Sequence, residues 1–174
     1  MIQRDNDNRI DELESVIVNN CELIDFPLVH RFTNGMYIRQ IFMPKGSLLT
    51  SRIHITDHPY TVSLGAAAVS IDGKDWEHIV APYTGITEAG TRRILYVLED
   101  CIWTTYHPIH NMKSEFNNLS DDEIDLIVED IENEILEPHI NVITGTDITK
   151  DYKNILENNK KEILWHLQQQ EQQV

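Results

Sequence analysis

The chain has 174 residues, of which 41% are hydrophobic and 25% charged, with a formal net charge of −15; that length supports one sizeable core rather than two. The charge is uneven: from Pro27 to His107 seven basic residues balance seven acidic ones, while the residues before contribute −5 and those after −10. Acidic flanks with no Lys/Arg stripe exclude direct binding to nucleic acid, because nothing offers counterion release. No window approaches the roughly 18 apolar residues of a membrane span, and the start, MIQRDNDNRIDELE, holds no apolar run of signal-peptide length, so the expectation is a soluble protein that is neither membrane-bound nor secreted by a signal peptide. Two cysteines, Cys21 and Cys101, are too few and too far apart for a disulfide framework or a CxxC metal knuckle, and both read as buried free thiols.

Residues 1–20 form a polar arm whose short stripe, Ile10, Leu13, Val16 and Ile17, predicts one or two docked helical turns. Residues 21–110 change to short β-like runs: LIDFPLVHRF, MYIRQIFM, LLTSRIHI, TVSLGAAAVSI, EHIVAPYTGI, RRILYVL and CIWTTYH. Turn signals separate them at Asn34-Gly35, Pro44-Lys45-Gly46, Asp57-His58-Pro59, Asp72-Gly73, Glu88-Ala89-Gly90 and Glu99-Asp100. Strands this short and this regularly spaced, with no helical pattern between them, predict an antiparallel sandwich or small barrel. Asp72-Gly73, between apolar runs, is the strongest hairpin signal.

Residues 111–146 switch to a helical period and then an extended linker. Ser120 and Glu123 make a capping box, and Ile124, Ile127, Val128, Ile131 and Ile135 recur on one face until Pro138. The opposite face is acidic and carries no base, which suits a solvated face or a contact for a basic partner. Residues 147–174 predict a second helix, with Ile155, Leu156, Ile163, Leu164 and Leu167 as an apolar stripe that suits association with another copy or another protein. The expected fold is therefore mainly β with an α-helical C-terminal extension.

From Gly46 to His107 the residue order resembles the cupin family, whose first motif is G-x5-HxH-x3-4-E-x6-G and whose second is G-x5-PxG-x2-H-x3-N. Gly46, His54, His58 and Gly65 fall in the region of the first motif, and Gly85, Ala89, Gly90 and Arg93 in that of the second. The stretches MYIRQIFMPKGSLLTSRIHITDHPYTVSLG and APYTGITEAGTRRILYVLEDCIWTTYH are similar to a group of small cupin-like proteins encoded by tailed bacteriophages. The resemblance covers about half the chain and implies a cupin-like antiparallel β-barrel, or jelly roll. It leaves the helical tail unexplained.

A cupin metal site takes two histidines and a carboxylate from the first motif and one histidine from the second. Here Thr56 stands at the second-histidine position, Arg93 stands where the other histidine belongs, and Val97 replaces the asparagine. A guanidinium cannot shed its proton to ligate a cation, so the standard site is broken. Another site can be drawn from His54, His58 and His107, three imidazoles with an open position that would suit Zn²⁺ or Fe²⁺. It requires the strand to run through Pro59, whereas Asp57-His58-Pro59 reads as a turn. The other reading has these histidines satisfied by hydrogen bonds near one mouth of the barrel. Arg92 and Arg93 could bind an anion at the mouth, or pair with Glu88, Glu99 or Asp100.

Two functions follow. The first is a non-enzymatic, virion-associated phage structural or assembly protein without a cofactor, found in the virion or host cytoplasm. It would use the barrel as a rigid module and associate through its tail with further copies or other virion proteins. The alternative is a metal-dependent cupin enzyme, or a binding protein for a small sugar-like molecule, with Zn or Fe on the three histidines.

Overall fold

The computed structural model describes residues 5–21, 24–110 and 119–136. They form α1 (Asp5–Asn20), β1 (Leu28–Thr33), β2 (Met36–Met43), β3 (Leu48–Thr50), β4 (His58–Ser70), β5 (Glu77–Val80), β6 (Tyr83–Thr87), β7 (Ile94–Pro108) and α2 (Asp121–Ile135). The strands make one antiparallel sheet in the order β1-β2-β7-β4-β5, with β3 on β7 and β6 on β4. This is the mainly antiparallel β fold that the sequence predicts, with a helix on its C-terminal side.

Two long strands organise the sheet. β7 pairs with β3 through its first half and β2 through its second, while β4 pairs with β6 through its first half and β5 through its second. β4 and β7 pair with each other from Tyr60↔Thr105 to Ser70↔Ile94, and the register shifts around Gly65. A side chain at Gly65 (φ +75°) would begin 2.0 Å from the carbonyl oxygen of Asp100, so only glycine lets the two strands stay in contact through their bend. The bend folds the sheet over itself. Tyr60, Val62, Cys101 and Trp103 from one half therefore meet Ala67, Val69, Leu95 and Val97 from the other in one core.

The two adjoining helices close the layers. α1 buries Ile10, Leu13 and Val16, packing Ile10 and Leu13 on Ile94. α2 starts at the predicted capping box, where Ser120 Oγ accepts from the Glu123 N–H and Glu123 accepts from the Ser120 N–H. It packs Ile131 and Ile135 against Tyr37 and Ile109. Among the described residues no helix is long and apolar enough to cross a membrane.

Several sequence expectations are corrected. The arm is a helix of 16 residues rather than one or two docked turns, and besides its buried stripe Arg92 anchors it. The Arg92 side chain is 3% exposed and pairs with Asp11 at 2.5 Å and Glu14 at 2.7 Å, while Thr50 Oγ1 donates to Glu14. Arg92 thus serves α1 instead of a ligand at the barrel mouth, and its acidic partners are not Glu88, Glu99 or Asp100. Glu99-Asp100 does not end a strand, since β7 continues through it, bent, from Ile94 to Pro108. Asp57-His58-Pro59 does not end the strand either; His58 opens β4, and Pro59 sits opposite Ile86. Of LLTSRIHI only Leu48–Thr50 is strand, and α2 ends at Ile135. Cys101 is buried as expected, but Cys21 is exposed. The stripe Ile155, Leu156, Ile163, Leu164 and Leu167, with the linker before it, lies outside the described residues.

Replacing Arg92 removes the cation shared by Asp11 and Glu14. The carboxylates left behind, 53% and 30% exposed, are rehydrated, so the loss lies near the exposed-pair value of about 1 kcal/mol. Arg92→Met is expected to lower unfolding free energy by about 1 kcal/mol in urea titration, with Glu14→Gln adding little in that background because the two act on one interaction.

Candidate metal centre

Three histidines from separate parts of the chain converge at one end of a cavity of about 270 Å³. Carrying the β4–β7 register two residues beyond Tyr60↔Thr105 sets His58 opposite His107. Side chains alternate along a strand, so both rings share the inner face with Tyr60, Val62 and Trp103. His54 precedes β4 and is held by its backbone: its carbonyl accepts from Gly90 N–H at 2.7 Å, it bridges to Leu136, and Ile55 N–H donates to Ile135 at 2.9 Å. The end of α2 and the turn before β7 thus aim the third ring.

The ring centroids lie 4.2 Å (His54–His58), 4.5 Å (His58–His107) and 4.8 Å (His54–His107) apart. The candidate ligand atoms all lie within 4.8 Å of one another. Each ring has a partner that orients it. His58 Nδ1 donates to the Thr56 carbonyl at 3.4 Å, leaving the Nε2 lone pair open. His107 Nε2 meets Thr105 Oγ1 at 2.9 Å, and His54 has a backbone hydrogen bond with Arg52. His107 Nδ1 is buried with no hydrogen-bond partner. A ring nitrogen fixed by a backbone carbonyl while the other points at its neighbours is how proteins hold metal-binding imidazoles, and the orphaned Nδ1 is the kind of buried atom an ion satisfies.

Electrostatics keep the cluster neutral. Burial, then the neighbouring His58 and Arg39, push His54 down to about 3. Burial, then His58, His54 and Arg39, do the same to His107, also to about 3. Burial is the largest cause lowering His58, with Arg93 adding to it. Neutral imidazole is the form a transition metal needs. Below the cluster Tyr37 is fully buried, stacked between His107 and His30, and its hydroxyl, pushed up to about 12 by burial, stays protonated beside His30 Nδ1 at 2.7 Å.

The sequence names all three histidines, and the structure brings them together. Of the arginine pair only Arg93 reaches the cavity, with its guanidinium 5.2 Å from the centre of the Tyr60 ring. His78 and His110 are surface residues. Arg39, Glu132 and the α2 end also line the cavity and went unnoticed in the sequence. Arg39 was readable: in MYIRQIFM it alternates with Tyr37, Ile41 and Met43.

No protein-family model matches the chain, and no curated protein sequence matches it. Solved structures do. A cupin superfamily protein from Desulfitobacterium hafniense is similar at 10% identity, covering 55% of this chain and 87% of that one with a TM-score of 0.43. A conserved protein with a double-stranded β-helix domain from Klebsiella pneumoniae is similar at 17% identity, covering 52% and 82% with a TM-score of 0.44. KdgF from Halomonas sp. is similar at 13% identity, covering 52% and 86% with a TM-score of 0.41. The neighbours are cupin and double-stranded β-helix proteins, and none brings a function to this chain.

The lowered histidines set a pH dependence for the metal-free protein. Unfolded imidazoles take protons below 6.5 while folded His54 and His107 take them only near 3, so the unfolded state binds more protons and stability falls as pH drops through that window. Urea denaturation in chelator is expected to show this loss already between pH 6.5 and 5, above the carboxylate range, at no more than about 1.4 kcal/mol per group per pH unit. The His54→Gln/His107→Gln variant should show a flatter profile there.

Proposed function

We propose that this protein is a cupin-like metal-binding domain that holds one divalent ion, Zn²⁺ or Fe²⁺, on His54, His58 and His107 and acts on a small molecule in the adjoining cavity. The observation that carries this reading is the convergence of three imidazoles, two buried and His54 half-buried, whose ligand atoms lie within 4.8 Å of one another. Three imidazoles with an open position suit zinc or ferrous iron, and such an ion supplies Lewis-acid polarisation of a bound oxygen. The chain's own part is to fix the rings through Thr56, Thr105 and the Arg52 backbone, and to screen them from water with Tyr37 and the end of α2. No feature of the described residues bears on the virion-associated role, and the tail that would mediate it lies outside them.

Elemental analysis after purification without chelators should find about one equivalent of zinc or iron per chain. Adding zinc to the stripped protein should raise its melting temperature by mass action. His58→Ala and His107→Ala should each abolish that rise. Less than about a tenth of an equivalent, with no thermal shift on adding zinc or ferrous iron, overturns the reading, since an all-imidazole site retains its ion.

A further inference from the structure

The cavity's charge runs against that of the protein. In a chain of net charge −15, the groups lining the cavity include three guanidiniums, Arg39, Arg52 and Arg93, and a single carboxylate, Glu132. Glu132 is already committed to Arg52 at 2.9 Å. Arg39 and Arg93 have no carboxylate partner among the described residues, and Arg39 Nε is buried with no hydrogen-bond partner. Arg93 rests on Tyr60, where its fork is oriented but its charge is not neutralised. An ion on three neutral imidazoles would make the excess larger still. Unbalanced positive charge on half-buried arginines around a half-open, mostly apolar cavity is unfavourable, and an anion offsets it.

The remaining walls say what the anion carries. Ile41, Met43, Leu49, Leu95 and Trp103 face the same space, so a bare inorganic anion would leave an apolar surface uncovered. A guanidinium fork matches a carboxylate in two parallel hydrogen bonds. We propose that the cavity takes a small organic carboxylate with an apolar body, its carboxylate held by Arg39 and Arg93 beside the three histidines and its body against Met43, Leu95 and Trp103. The volume of about 270 Å³ has room for a body such as a benzene ring or a short alkyl chain. The inference rests on the cavity proposed above as the working site, and names the class of molecule it takes.

Isothermal titration of the full-length protein, both zinc-loaded and chelator-stripped, with benzoate, hexanoate, benzamide and inorganic phosphate tests it. Tryptophan fluorescence supplies a second readout, because Trp103 lines the cavity. Benzoate or hexanoate should bind one per chain and change the fluorescence, with benzamide and phosphate weaker by about tenfold or more. Arg93→Gln and Arg39→Gln should each weaken the carboxylate by about tenfold or more while leaving the zinc stoichiometry unchanged. Benzamide binding as tightly as benzoate, variants binding as well as the parent, or no carboxylate binding at millimolar concentration overturns the proposal. If a variant does not fold, the comparison of benzoate with benzamide on the parent protein decides. Carboxylate binding by a protein that takes up no metal overturns the metal reading and leaves this one standing.

Discussion

The pairing of β4 with β7 is the contact on which the rest depends. Both strands pass through both halves of the sheet, so every other strand except β1 hydrogen-bonds to one of them. A bend shared by two paired strands needs the chains to approach closely at its centre, and Gly65 beneath the Asp100 carbonyl provides that approach. The two-residue alternation beyond the bend then decides which side chains share the interior. His58, Tyr60 and Val62 on β4 face the same space as Trp103, Thr105 and His107 on β7. Core and candidate centre are therefore two stretches of one ladder. A register slip of one residue would turn the histidines outward together with the apolar core.

The polar content of the cavity follows from what surrounds it. Burial disfavours the charged form of a histidine, and three rings in mutual contact disfavour it further, so the cluster stays neutral while retaining its lone pairs. The arginines cannot respond in the same way, because a guanidinium keeps its proton. Arg92 resolves this with two carboxylates from α1, and Arg52 with one from α2. Both helices adjoining the barrel thus bring acids to its bases, and part of the chain's negative charge works as a structural counterion. Arg39 and Arg93, both half-buried, line the cavity with no carboxylate partner among the described residues.

Much of this was legible in the sequence for identifiable reasons. Turn residues at regular intervals gave the β architecture, and the Ser120–Glu123 box gave the start of α2. The histidines were recognisable because their residue type is specific. What stayed hidden depended on distance along the chain. The pairing of Arg92 with Asp11 spans 81 residues, and no local pattern records it, so the apolar stripe alone predicts only one or two docked turns. Likewise Glu99-Asp100 carries turn chemistry, yet the pairing of β7 with β4 before and after it carries the strand through. The Asp57-His58-Pro59 signal misled by one step: the chain does bend, but at residues 55 and 56, and Pro59 is accommodated within β4.

The hold of α2 on His54 has a kinetic consequence. His58 and His107 sit in the sheet, whereas His54 is placed by the Gly90 N–H and by the backbone bridge to the helix end at Ile135 and Leu136. α2 itself rests on a small cluster with Tyr37 and Ile109, apart from the main core, so it can detach while the sheet keeps its own contacts. Such peripheral units open with a free energy well below that of global unfolding. An ion bound to all three rings would therefore exchange on the clock of helix detachment, with the sheet intact throughout. Substitutions on the buried face of α2, at Ile131 or far from any ligand atom, would change how long the ion resides without changing which atoms hold it.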